Sequence, residues 1–450
     1  MSNDRQMVIG WLMEPAGTHA AGWQEFTDRR DVANDIHHFA EMAREAEAAK
    51  LDFIFQADSS SIRPGPIDAV ARQPTYANML EPFTQMAALS QATSRVGLVS
   101  TACTSFWEPF NLARLAASVD HISGGRFGWN IVTGRHPLAA PNFGHDTIAH
   151  ADRYKRAHEF TEVVLGLWDS YEDDAFCRDP QSGYYFDPTK IHALDHKGEY
   201  YNVRGPMNLG RPPQGWPVLV QAGASGDGQD FGARFGEVIF SINGTLERAG
   251  KFYEDIKGQL AKYGRERDEM RVLSALQVVV RETAQEATDA FEDMQRRLHP
   301  ELMKHTVSYD LETDVMDLDV DDYVTLDRLP VEANSSKSAD ALLREWLSER
   351  PMTVRELYYK FSQSRSAKTI YGSPGEVADV MEEWFTAGVA DGFMTLFPLE
   401  SGMRDFGRLV VPELQRRGLF RQDYEGSTLR DHLGLKRPVW NARQFHQAEG

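Results

Sequence analysis

Eight short runs of β-forming apolar residues, each followed by a stretch of helical periodicity, constrain this chain more than any other feature. The runs are VIGWLM from Val8, DFIFQAD from Asp52, VGLVSTACT from Val96, RFGWNIVTG from Arg126, PVLVQAG from Pro217, EVIFSIN from Glu237, RVLSALQVVV from Arg271 and DGFMTLFP from Asp391. Nearly all are continuously apolar, without the alternation of a strand that has one wet face, so they read as parallel strands covered on both sides. Amphipathic segments fill most of the gaps, at 32–49, 81–92, 110–121, 154–171, 228–235, 246–263, 284–298, 374–387 and 406–417. A doubly wound open sheet is the rival arrangement, but no glycine fingerprint follows the first strand. Eight βα units in one line therefore predict an α/β fold of the (β/α)₈ TIM-barrel type.

The 450 residues exceed the roughly 250 of a plain barrel. Four intervals, 59–75, 135–152, 172–216 and 300–369, are too long to be simple connections, and long loops in compact domains carry function or disorder. The expectation is one domain over residues 1–450 with these insertions on the C-terminal face and a charged, aromatic tail, 418–450, draped over the surface. The acidic stretch 311–327 reads as a solvated lid or excursion rather than a metal site.

Lys and Arg number 48 against 67 Asp and Glu, a net charge of −19, which disfavours nucleic acid or an anionic membrane as a partner. No run approaches the ~20 apolar residues of a membrane span, and the first apolar run is too short for a signal peptide, so a cytoplasmic protein is expected. Cys103 and Cys177 have neither disulfide-framework nor zinc spacing, and no metal is expected.

In a barrel enzyme the chemistry gathers where strands end. Strand two ends in Asp58, able to accept from a ring N–H or to cap a loop. Strand three ends in the small residues 100–104, and strand four in Asn130 and Thr133, which can read the edge of a heterocycle. The stretch PVLVQAGASGDGQDFGARF from Pro217 runs from a strand through a glycine-rich turn into a helix. There Ala224, Ser225 and Gly226 can offer backbone N–H groups, a hydroxyl and a helix N-terminus to a phosphate, or simply make a tight turn. It is neither a dinucleotide GxGxxG nor a nucleophile elbow. His150 and Tyr154, four apart, share one face of the fourth helix. His19, His136 and His150 are the candidates for proton transfer, because imidazole titrates near neutrality.

Several of these strings resemble the bacterial-luciferase superfamily, in its branch of nitrilotriacetate, EDTA and dibenzothiophene-sulfone monooxygenases. They are DFIFQAD at Asp52, LEPFTQMAALSQATSRVGLVSTACTS from Leu80, ARLAASVDHISGGRFGWNIVTG from Ala113, RYKRAHEFTEVVLGLWDSY from Arg153, HKGEYYNVRGPMNLGRPPQGWPVLVQAGASGDG from His196 and GLFRQDYEGSTLRDHLGL from Gly418. The resemblance implies that Asp58, Thr104, His150, Tyr154 and Ser225 contact FMN and that Asn130 lies near its ring. It further implies a two-component monooxygenase, using FMNH₂ from a separate NAD(P)H:flavin reductase and O₂ to oxidise a small organic substrate, heteroaromatic or bearing sulfur or an amine. A homo-oligomer, dimer or tetramer, is expected. Trp11, Phe55, Phe106, Trp107 and Trp129 are candidates for dry walls around the flavin, or for plain barrel packing. Ala102–Cys103–Thr104 departs from the Ser-Thr pair usual in that branch. The alternatives are a deazaflavin-dependent dehydrogenase on the same barrel and a non-catalytic FMN-binding protein.

Overall fold

The computed structural model describes residues 5–134, 138–144, 146, 148–223, 225–310, 313–329, 337–364 and 368–440. Each of the eight apolar runs contains a strand: β1 (Val8–Leu12), β2 (Phe53–Gln56), β3 (Gly97–Cys103), β4 (Phe127–Val132), β5 (Val218–Gln221), β6 (Val238–Ser241), β7 (Arg271–Val280) and β8 (Gly392–Leu396). Each pairs in parallel with the next, and β8 returns to β1 with Val8 opposite Gly392, so the sheet closes into a barrel. A further strand, Lys368–Gly372, lies along the outer half of β7.

Period-two alternation explains why these strands are apolar on both faces. Phe53, Phe55, Val99, Val220, Phe240 and Met394 fill the interior, with the Phe240 ring 6.2 Å from Phe53 and 5.2 Å from Phe55. A Cβ at Gly10 would sit 2.4 Å from the Phe53 ring, so glycine on β1 is what admits that phenylalanine. The alternate residues Ile54, Leu98, Trp129 and Leu219 face the helices instead.

The helix layer comprises α1 (Ile36–Ala48), α2 (Pro82–Leu89), α3 (Pro109–Ser123), α4 (His150–Trp168), α5 (Gly226–Phe235), α6 (Leu246–Gln259) and α7 (Ala284–Arg296). Past the insertion the layer resumes with Pro374–Thr386 and Gly402–Arg416. The described residues of the 300–369 interval include three further α-helices, α8 (Pro300–Asp310), α9 (Lys337–Glu349) and α10 (Val354–Ser364), which bury Met303, Val307, Leu343 and Leu357 in a cluster of their own. Within the acidic stretch, Asp317 pairs with Arg328 and Asp321 with Arg355, both at 2.8 Å. Leu311 and Glu312 lie outside the described residues.

The 172–216 excursion returns along the rim where strands begin, and Gln214 there donates to Asp120 at 2.7 Å and to the Phe127 carbonyl at 2.8 Å. The other three excursions meet over the opposite rim. The Asn142 amide donates to Ser60 O at 2.8 Å, Phe106 stacks on Phe143 at 4.8 Å, and His305 of α8 donates to Pro64 O at 3.1 Å.

The tail differs from the surface drape expected of it. Leu429, Leu433 and Leu435 pack against the barrel interior at the N-terminal end, Arg430 forks onto Glu237 at 2.6 and 2.9 Å, and Arg421 pairs with buried Asp52. Residues 429–435 of the tail thus plug the apolar opening at the start of the barrel.

Candidate active site

At the C-terminal mouth, a chain of hydrogen bonds crosses three strands. The Thr101 hydroxyl donates to Gln56 O at 2.9 Å, which leaves its oxygen to accept from Asn130 Nδ2, also at 2.9 Å. This order fixes the Asn130 amide, because a hydroxyl already committed as donor has only lone pairs to offer. Asn130 Oδ1 is then an acceptor without a partner on a residue 3% exposed. An orphan of this kind in a polar mouth is a demand for an N–H from a bound molecule.

Asp58 stands two residues beyond β2. Burial pushes its carboxyl up to about 6, and the Glu81 charge pushes the same way. Thr104, fully buried, donates its backbone N–H to Val132 O at 2.9 Å and so ties the ends of β3 and β4. Burial raises the neighbouring Cys103 thiol to about 11, which makes it an inert filler.

The second half of the mouth lies one strand further on, since Ile131 of β4 pairs with Gln221 of β5. Ser225 is the N-cap of α5, its hydroxyl accepting from Gly228 N at 3.1 Å. A Cβ at Gly226 would meet nothing within 4 Å, so the first turn of α5 is open on that side. A Cβ at Gly228 would come within 2.9 Å of both Gly223 Cα and the Tyr154 hydroxyl. Glycine there lets Tyr154 of α4 lie against the turn. The N–H groups at the start of a helix and the helix dipole suit an anion, offset in part by Asp227 in the same turn.

The structure thus brings Asp58, Thr104 and Asn130 onto one rim and Tyr154, Ser225 and Gly226 onto the next. His136 and Ala224 lie outside the described residues, as does the His150 side chain, although its backbone opens α4. His19 lies on the loop after β1, with its ring 6.5 Å from Phe291. Its Nδ1 accepts from Ala21 N at 3.1 Å, so the proton is on Nε2, and burial lowers the imidazole to about 4. His19 is therefore neutral at physiological pH and offers a hydrogen bond rather than an acidic proton.

Of the candidate aromatic walls, Trp11 packs against Phe397, Trp107 against Phe83 and Trp129 against Phe160 and Trp168, all in the helix layer outside the barrel. Phe55 faces the interior and Phe106 the converging loops. Sequence reasoning missed the parts played by Gln56 and Thr101, whose only signal was a polar residue ending an apolar run. Among the described residues no group of three or more His, Cys, Asp or Glu is placed to hold a metal, and no helix is long and apolar enough to cross a membrane.

Residues 12–391 match the luciferase-like monooxygenase family. The chain is 44% identical over 449 residues to component A of nitrilotriacetate monooxygenase from Aminobacter aminovorans, covering 97% of this chain and 98% of that protein. It is 41% identical over 446 residues to N-acetyl-S-(2-succino)cysteine monooxygenase from Bacillus subtilis (strain 168), with 97% and 98% covered. The crystal structure of a riboflavin lyase with modified FMN and its substrate riboflavin matches with a TM-score of 0.82 at 30% identity, covering 97% of both chains. Orphan acceptor, open helix turn and family match converge: this chain belongs to the luciferase-like monooxygenases, flavin-dependent oxidoreductases built on a (β/α)₈ barrel.

Proposed function

We propose that the mouth just described is the FMN seat of a two-component monooxygenase. The first turn of α5 with Ser225 and Gly226 takes the phosphate, Tyr154 lies beside it, and Asn130, Asp58 and Thr104 meet the ring. The observation that carries this reading is the buried, unpartnered Asn130 oxygen one strand away from an open helix N-terminus. Reduced FMN, when bound, supplies the electrons that activate O₂ and place one oxygen atom in a small organic substrate, the other leaving as water.

The chain's own residues do the rest. Asn130 Oδ1 orients the ring by accepting an N–H. Asp58, with its carboxyl near 6, holds or releases a proton at the rim. Phe55 and Phe106 keep water from the two sides they face. The same reading takes the reduced flavin from a separate NAD(P)H:flavin reductase, puts the enzyme in the cytoplasm as a dimer or tetramer, and assigns proton-transfer roles to His136 and His150.

Anaerobic titration with reduced FMN and reduced riboflavin tests the seat. The wild type should prefer the phosphorylated flavin, and Ser225→Ala should cut that preference about tenfold while leaving riboflavin binding unchanged. If reduced FMN does not bind at micromolar levels, the reading fails.

A further inference from the structure

A cavity of about 640 Å³ lies between the barrel wall and helices α1 and α2, beneath the loops that follow β1 and β2. None of Asp58, Thr104, Asn130, Tyr154 and Ser225 lines it, so it is distinct from the flavin seat and is argued independently of it. Phe26, Phe39 and Leu80 give it apolar walls, and its size is that of a small-molecule pocket.

Three glutamines converge on this cavity. Gln56 alternates away from the barrel interior, Gln85 projects from α2, and Gln73 comes from the loop between them; they are 3%, 2% and 7% exposed. Gln56 Oε1, Gln73 Nε2 and Gln85 Nε2 are all buried without a hydrogen-bond partner. Buried amides are rarely left unmet even singly, and three around one roomy space mark a site built for a polar occupant. Two of the five left-handed non-glycine residues among the described ones, Arg29 at φ 58° and Tyr76 at φ 59°, also line this space. Strain of that kind gathers at ligand clamps.

The rim sets the charge of the occupant. Arg30 pairs with Asp28 at 3.5 Å and stacks on Phe26, and Asp31 is taken up by Asn34 and Asn78. Exposed Arg29 makes no ion pair among the described residues. Glu14, also on the lining, is pushed up to about 7 by burial, so below that pH it is mostly protonated and opposes an anion only weakly.

We propose that this cavity is a second small-molecule site, taking an organic carboxylate that also carries amide groups, its carboxylate on Arg29 and its amides on Gln56, Gln73 and Gln85.

Titration of the flavin-free full chain with N-acetyl-L-glutamine, followed by calorimetry and by the fluorescence of half-exposed Trp23 on the lining, tests this. Saturable one-to-one binding is expected. Gln56→Leu and Gln85→Leu should each weaken it about tenfold, and Arg29→Ala should weaken it about fivefold without changing the affinity for the methyl ester. Melting curves separate lost binding from lost folding for the glutamine variants, and Arg29→Ala removes only an exposed rim group. The proposal is overturned if N-acetyl-L-glutamine fails to saturate below about 10 mM, which would mean that solvent alone fills the space. It is equally overturned if folded variants bind like the wild type, or if FMN competes with the probe and so claims the cavity for the flavin seat.

Discussion

Asn130 and Glu14 carry the two buried polar groups whose behaviour is easiest to measure. Replacing Asn130 by leucine keeps the volume and removes the orphan oxygen together with the donor to Thr101. Stability should change by no more than about 1–2 kcal/mol, since both ends of one hydrogen bond are not left buried and charged. Reduced-flavin affinity should fall about tenfold, and unchanged affinity in anaerobic titration would remove Asn130 from the ring seat. Glu14 tests the electrostatics of the neighbouring cavity. Its carboxyl rises from 4.5 to about 7 in the folded protein, through burial. Between those values the native chain holds a proton that the unfolded chain releases, so the contribution of Glu14 is fully present below about 4.5 and is lost as pH rises through about 7. Glu14→Gln, neutral throughout, should match the wild type at pH near 5 and exceed it by about 1–3 kcal/mol at pH near 8.5. Denaturant midpoints at the two pH values check this; parallel behaviour of the two proteins would mean that Glu14 is well solvated.

The helix α5 lets the phosphate argument be tested apart from any side chain. Ser225 is its N-cap at φ −70° and ψ 164°, a conformation that a following proline tolerates, and Gly226 is its first residue, with open space around an added Cβ. Gly226→Pro should therefore keep the helix and its melting temperature while deleting one backbone N–H from the cradle. A fivefold to tenfold loss of FMN affinity, roughly, with riboflavin binding intact, is the expected outcome; equal losses for both would point to a distorted turn. Elements of this kind were legible in the sequence, because a continuous apolar run, a glycine turn and a helix follow from local pattern. The eight strands were legible for the same reason. Helices α8 to α10 were not, since Met303, Leu343 and Leu357 pack on one another rather than on the barrel, and their acidic connection reads locally as solvent-exposed chain. Gln56, Gln73 and Gln85 were equally hidden: nothing about a glutamine says that folding will bury it, and only the meeting of β2, α2 and the loop between them does so.

Across the whole molecule, the two ends of the barrel divide the work. The C-terminal mouth gathers unmet polar groups and long loops, while the N-terminal end is sealed by the tail, in keeping with the separation of function and stability in this fold. Arg430 holds that seal at 2% exposure, forking onto Glu237 and donating to Trp216 O at 3.1 Å, while Glu237 also accepts from Leu219 N at 3.0 Å. Arg430→Met would strand the Glu237 carboxylate, and breaking one side of a buried pair costs about 3 kcal/mol or more. Glu237→Gln alone would strand the guanidinium. Removing both charges at once should recover most of the loss, because a neutral, well-packed replacement of a buried ion pair is often close to neutral in stability. Flavin affinity should be the same in all three variants, measured on protein that is still folded. Additive losses in the double variant would show that the pair contributes as two separate anchors, and a parallel fall in flavin affinity would show that plug and mouth are coupled through the barrel wall.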